Sequence, residues 1–214
     1  MKESRAPIIR AFRKDDRDDV AQLVARDDMV LVVDPGACGL ACLFPAVHAW
    51  AIPAGGWDVT PPAPIAVFPF RAFGGFAELR KAITAAAGGR LLVVIEESFA
   101  GGRGNARTDI ALARYAGGVI GALSAITMAR GFDVVFVLPG AWLSAITGKT
   151  GRGTKRDERK AIAKAHAEKN LGVAAVAASA GLSPHREAFC DVYGIATWWG
   201  KFARTARPDL YGTR

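Results

Sequence analysis

Cysteine and histidine are scarce in this chain, three of each in 214 residues. Cys38, Cys42 and Cys190 are too few and too irregularly spaced for a disulfide framework. Cys38 and Cys42 could pair in principle, but small buried thiols explain them better. So few thiol and imidazole donors also argue against zinc. Long apolar runs are missing as well: none approaches the ~20 residues of a membrane span, and no cationic start followed by an apolar stretch marks a signal peptide. The expectation is a soluble protein of the cytoplasm with no membrane partner.

What is present is a hydrophobic content of 51%, enough for one substantial core. The chain divides into an arm with a short helix (1–28), a main domain (29–206) and a basic tail (207–214). The net charge of +8 is unevenly placed. Seven basic and seven acidic residues cancel within 1–28, whereas Lys149 to Lys169 holds eight Lys or Arg against three acids, and Lys201 to Arg214 four against one. The excess lies wholly in the last third. A concentrated cationic surface suits a polyanion, most simply nucleic acid, because neutralising phosphates releases counterions; for one cluster alone, a solvated basic helix is an equal reading.

The run Met29-Val30-Leu31-Val32-Val33 ends on Asp34, and Pro35-Gly36 forces a turn. The pattern is a buried strand delivering a carboxylate at its end. Leu91-Leu92-Val93-Val94-Ile95 ends the same way on Glu96 and Glu97. A single carboxylate after a strand is usually a turn or cap residue. Two neighbouring strands that both finish on one place like charges close together, which is costly unless a cation sits between them.

Between these strands, Gly39 to Phe44 and the partly alternating Ala46 to Ile52 predict antiparallel strands, with His48 as a structural residue, and Ile65 to Phe68 a third short strand. Phe76 to Ala87 predicts an amphipathic helix leading into the strand that ends at Glu96. Ser98 to Asn105 is a glycine-rich loop carrying Phe99 and Arg103. A long helix over about 107–130 has a stripe of small residues, suited to a buried central helix or a dimer interface. Phe132 to Leu138 is another buried strand, stopped by Pro139-Gly140. Thr154 to Lys169 predicts a basic helix and Arg186 to Phe202 a final one. On that last helix Asp191 lies among Phe189, Val192, Ile195, Ala196 and Trp199, close to the apolar face. Glu187 is one turn earlier and His185 stands just before the helix, so either is a further candidate ligand.

Three acids in this order, on the first strand, the fourth strand and a final helix, resemble the RNase H-like nuclease fold and, within it, the RuvC family of Holliday junction resolvases. The residues that carry the resemblance are Val33-Asp34-Pro35-Gly36, Ile95-Glu96-Glu97-Ser98-Phe99, Asp191-Val192-Tyr193-Gly194-Ile195-Ala196, and the glycine- and lysine-containing stretch Gly148 to Lys155. It covers roughly residues 29 to 202. The implied fold is α/β: a five-stranded mixed sheet, with strands 1–3 an antiparallel meander and the rest parallel, flanked by helices. The implied activity is Mg²⁺- or Mn²⁺-dependent resolution of four-way junctions by paired symmetric nicks that leave 5′-phosphates, performed by a homodimer in a bacterial or phage-infected cytoplasm without a nucleotide cofactor.

In this reading Asp34, Glu96 and Asp191 hold the metal, with Glu187 or His185 as a further ligand. Phe99 stacks on bases at the junction, and Lys155 lies near the scissile phosphate, with Arg156 or Lys160 as the alternatives because the glycine-rich approach is about one residue longer than the family's. Arg103, Lys149, Arg152, Lys155, Arg156 and Lys160 hold the DNA backbone, mostly without reading bases. The chain departs from the family pattern at Ala188, where the family often has Asp or His, and near Leu143, where the family has a second lysine. Those departures, with Trp142 after Pro139, resemble the divergent phage-type members. Carboxylate oxygens suit Mg²⁺ or Mn²⁺ independently of the resemblance, and two such ions ~3.5–4 Å apart support in-line attack on a phosphodiester.

Three alternatives are weighed. RNase H-like nucleases acting on flaps or RNA–DNA hybrids share the carboxylate logic and differ in substrate. A non-catalytic nucleic-acid-binding module would bind without metal and never nick. An actin-like ATPase or sugar kinase also begins with a strand ending in Asp-x-Gly, but normally duplicates its domain, and this chain lacks a second glycine-rich phosphate loop.

Overall fold

The computed structural model describes residues 8–9, 17–24, 29–35, 39–51, 59–69, 91–97, 110, 113–114, 116–118, 120–121, 132–148, 154–180 and 185–211. The helix expected over Phe76 to Ala87 and the glycine-rich loop after Glu97 fall outside these residues.

The sheet is organised around β2 (Met29–Asp34), whose four residues Val30 to Val33 are buried on both faces. It pairs antiparallel with β3 (Leu40–Phe44), Val32 opposite Cys42 and Asp34 opposite Leu40, and β3 pairs antiparallel with β4 (Ala66–Pro69). On its other side β2 runs parallel to β5 (Leu91–Glu96), Val33 opposite Ile95, and β5 runs parallel to β6 (Phe132–Val137). This is the expected mixed sheet: an antiparallel meander of three strands, then parallel strands added beside the first. A two-residue strand, β1 (Ile8–Ile9), joins the far edge parallel to β6, so the full order is β1-β6-β5-β2-β3-β4.

Side chains alternate across a pleated sheet, and the two faces divide by parity. Val30, Val32, Leu92, Val94, Val135 and Val137 belong to one core cluster, and Leu31, Val33, Leu91, Val93, Ile95 and Val134 to the other. The first face is covered by α5 (His185–Ala206), a 22-residue helix whose Phe189, Val192, Ile195, Ala196, Trp199 and Ala203 are buried at helical spacing. Beside α5 lie α2 (Pro139–Thr147), α3 (Arg156–Leu171) and α4 (Val173–Ala180), and α1 (Arg17–Val24) adds Leu23 and Val24 to the same cluster. The arm's helix therefore packs on the core of its own chain. The second face receives Ala116 and Ile120, from helical residues within the expected 107–130 helix. Among the described residues no helix is long and apolar enough to cross a membrane.

Three local expectations change. Ala46 to Ile52 does not continue as a strand: Val47–Ala49 form a 3-10 turn, and Ala51 alone bridges to Thr60. His48 lies in that turn and is exposed. Pro139 ends β6 but also starts a helix, since proline has no N–H to lose at a first-turn position. The helix expected from Thr154 begins at Arg156 and ends at Leu171, where Gly172 takes a positive φ of 87° and a second short helix follows. Cys42 and Cys190 are free and buried, and Cys38 lies outside the described residues.

Candidate active site

The parity of the sheet decides where two of the acids go. Val30 and Val32 face α5, so Asp34 does too; Leu92 and Val94 face α5, and so does Glu96. The β2–β5 register pairs Val33 with Ile95, which makes Asp34 and Glu96 the next positions on adjacent strand ends. The backbone N–H of Glu97 donates to the Val137 carbonyl at 2.7 Å, carrying the β5–β6 ladder past Glu96. Asp191 is partly buried on α5, which packs over this face of the sheet.

Their electrostatics show the convergence directly. Burial holds the Asp34 carboxyl well above the ordinary carboxylate value, and the charges of Glu96 and Asp191 raise it further against the pull of Lys160. Burial likewise pushes Asp191 up to about 7, with Glu96 and Glu187 adding to the rise and Lys160 and Arg159 opposing it. Glu96 is raised by burial, while a hydrogen bond from Trp142 and the charge of Arg159 work the other way. Three acidic side chains remote in sequence thus feel one another in a place with little water.

Trp142 and Arg159 are site residues that the sequence did not single out. The indole Nε1–H of Trp142 donates to Glu96 Oε1 at 3.0 Å. Arg159, in the first turn of α3, faces both Glu96 and Asp191, and its buried Nε has no hydrogen-bond acceptor among the described residues. Lys160 forms an ion pair with Glu187. Among the described residues, Arg159 and Lys160 are therefore the cations whose charge acts on the acids. Lys155 is exposed at the N-cap of α3, one turn before Arg159. Of the two further candidate ligands, Glu187 is exposed and paired with Lys160, whereas His185 is buried at the start of α5. Ala188 and Leu143, where the family pattern has polar residues, are buried in the core. Phe99, Arg103, Lys149 and Arg152 lie outside the described residues, as does the side chain of Arg156.

Among the described residues, no group of three or more His, Cys, Asp or Glu side chains is placed so that it could hold a metal ion. The donor chemistry nevertheless fits a hard cation. Every contributor is a carboxylate oxygen, the mutual repulsion of the acids is relieved by positive charge, and Mg²⁺ keeps several of its own waters, so it needs no closed cage.

No protein-family model and no curated protein matches the chain. Among solved structures it is similar to RuvC of T. thermophilus in complex with a Holliday junction substrate, with 13% identity, a TM-score of 0.44, and 80% of this chain and 94% of that one covered. It is also similar to Thermus thermophilus RuvC alone, with 16% identity, a TM-score of 0.46, and 85% and 96% covered. The strand order and directions, read from this chain alone, make the fold RNase H-like.

Proposed function

We propose that this protein is a metal-dependent endonuclease that resolves four-way DNA junctions by paired nicks. One observation carries the nuclease reading: Asp34 and Glu96 end adjacent strands on the sheet face covered by the helix that carries Asp191, and the charges of Glu96 and Asp191 raise the proton affinity of Asp34 as that of Glu96 raises that of Asp191. Such a site takes up a cation and sets it beside an anionic substrate. Four-way junctions are the substrate implied by the resemblance of the sequence motifs to the RuvC family.

In this reading Asp34, Glu96 and Asp191 hold Mg²⁺ or Mn²⁺, with Glu187 or His185 as the further ligand. The bound metal supplies an activated water and charge stabilisation for the leaving oxygen. The chain's own residues do the rest. Arg159 and Lys160 face the acids in the metal-free protein, and a bound phosphodiester gives both an alternative anion. Lys155 stands one turn away at the exposed start of α3, positioned to hold the backbone near the scissile phosphate. Arg103, Lys149, Arg152 and Arg156 extend that contact, and Phe99 stacks on an unpaired base, worth about 1–3 kcal/mol. A junction presents two equivalent strands, so the active form is a symmetric dimer.

The test incubates the purified protein and Mg²⁺ or Mn²⁺ with a synthetic four-way junction, a flap, a linear duplex and an RNA–DNA hybrid. Symmetric paired nicks in the junction alone are expected. Asp34→Asn should abolish cleavage and leave junction binding intact; normal cleavage by that variant would end the metal-site reading.

A further inference from the structure

Among the described residues, Glu96 is the acid of the three with a neutral side-chain hydrogen-bond donor fixed to it, the Trp142 indole. β6 ends at Val137 and α2 begins at Pro139, so the chain turns back at once and Trp142 arrives in the first turn of the helix. The ring is buried, at 2% exposure. It is seated against α5 at Gly194, where a Cβ would lie 2.9 Å from both Cε3 and Cζ3 of the indole. Gly194 is three residues after Asp191, so one side chain touches Glu96 through its N–H and, through its ring, the turn of α5 that carries Asp191. An indole N–H donates and never accepts, so it can serve Glu96 only as an anchor for a carboxylate oxygen.

We propose that Trp142 is a positioning residue for the cation site. It fixes the Glu96 carboxylate by Oε1, leaving Oε2 for the cation, and sets the spacing between Glu96 and Asp191 by wedging between their elements. This rests on the proposed metal site but not on the identity of the DNA substrate. A buried indole with a purely structural role would also need an acceptor, so the two roles must be separated by coupling.

The experiment measures Mn²⁺ binding to the full-length protein without DNA, by the loss of the free-ion paramagnetic resonance signal. Four proteins are compared: wild type, Trp142→Phe, Glu96→Ala and the double variant. Trp142→Phe is expected to weaken Mn²⁺ binding about 10-fold or more, the usual effect of losing a group that orients a ligand. In the Glu96→Ala background the same change should add nothing, because the carboxylate it orients is gone. If Trp142→Phe does not fold, Gly194→Ala, which displaces the ring, gives the same comparison. Unchanged Mn²⁺ affinity in either single variant, or equal losses in both backgrounds, overturns the proposal, as does a wild-type protein that binds no Mn²⁺. Coupled Mn²⁺ binding without any DNA cleavage would refute the nuclease and sustain this role for Trp142.

Discussion

Burying three carboxylates, with Glu96 and Asp191 raising Asp34 by their charge and Glu96 raising Asp191, destabilises the protein that carries them, and the direction in pH follows from their raised proton affinity. Asp191 binds its proton up to about 7 in the folded chain against an ordinary value of 3.8. Between those values the folded state holds more protons than the unfolded one, so stability is fullest at acid pH and falls as pH rises through about 7. Asp34 and Glu96 are raised too and act in the same direction, so the metal-free protein should melt lower at ~pH 8 than at ~pH 5. Mg²⁺ at ~100 times its dissociation constant should restore about 2.7 kcal/mol at the higher pH and little at the lower, because protons then compete for the same oxygens. Calorimetry with and without chelator checks both signs. Asp34→Asn removes one of the repelling charges and should raise the metal-free melting temperature at ~pH 8 while abolishing the Mg²⁺ response. A separate residue-level outcome concerns Gly200, where a Cβ would meet Trp50 Cε3 and Val59 Cγ1 at 2.9 Å. Gly200→Ala should cost about 1–3 kcal/mol by overpacking, read as a lower denaturant midpoint.

Helix α5 joins the strand ends to the surrounding helices, and its fastenings can be tested one at a time. The Tyr193 hydroxyl donates to the buried Pro61 carbonyl at 2.7 Å, tying the loop before β4 to the helix that carries Asp191. Tyr193→Phe leaves that carbonyl without this donor and should destabilise by about 1–2 kcal/mol, measured by urea unfolding. The acids at the ends of β2 and β5 were legible because an apolar run that stops abruptly on a carboxylate is a strong local pattern, and Asp191 because its neighbours recur at helical spacing. Trp142 and Arg159 were not legible. Pro139-Gly140 reads equally as a strand stop and as a helix start, and only the helix start brings Trp142 to a carboxylate 46 positions away in sequence. Arg159 sits in the mixed-charge run Lys155-Arg156-Asp157-Glu158-Arg159-Lys160, where nothing local distinguishes an inward-facing guanidinium from a solvated one. The 3-10 turn at Val47–Ala49 escaped notice because its apolar residues alternate as a strand's would, while the Trp50 indole closes it by donating to the Pro45 carbonyl at 2.9 Å.

For the molecule as a whole, the proposed function and a +8 charge gathered in the last third of the sequence together predict association with DNA that is strongly salt-dependent. Junction affinity should fall by orders of magnitude between ~50 and ~200 mM salt, and Lys155→Ala should weaken binding evenly across sequences while lowering the salt slope by about 1; titrations at several ionic strengths give both quantities. The far edge of the sheet carries a different consequence. Ile8 and Ile9 pair with Val134 and Val135 and, among the described residues, are what caps that side of β6. A chain cut back beyond residue 9 would leave a row of unmet amides and carbonyls on a flat, valine-rich ribbon, and such a surface recruits the backbone of any other molecule that presents one. Light scattering that climbs with protein concentration in the shortened protein, and stays level in the intact one, would make these two isoleucines the guard against self-association.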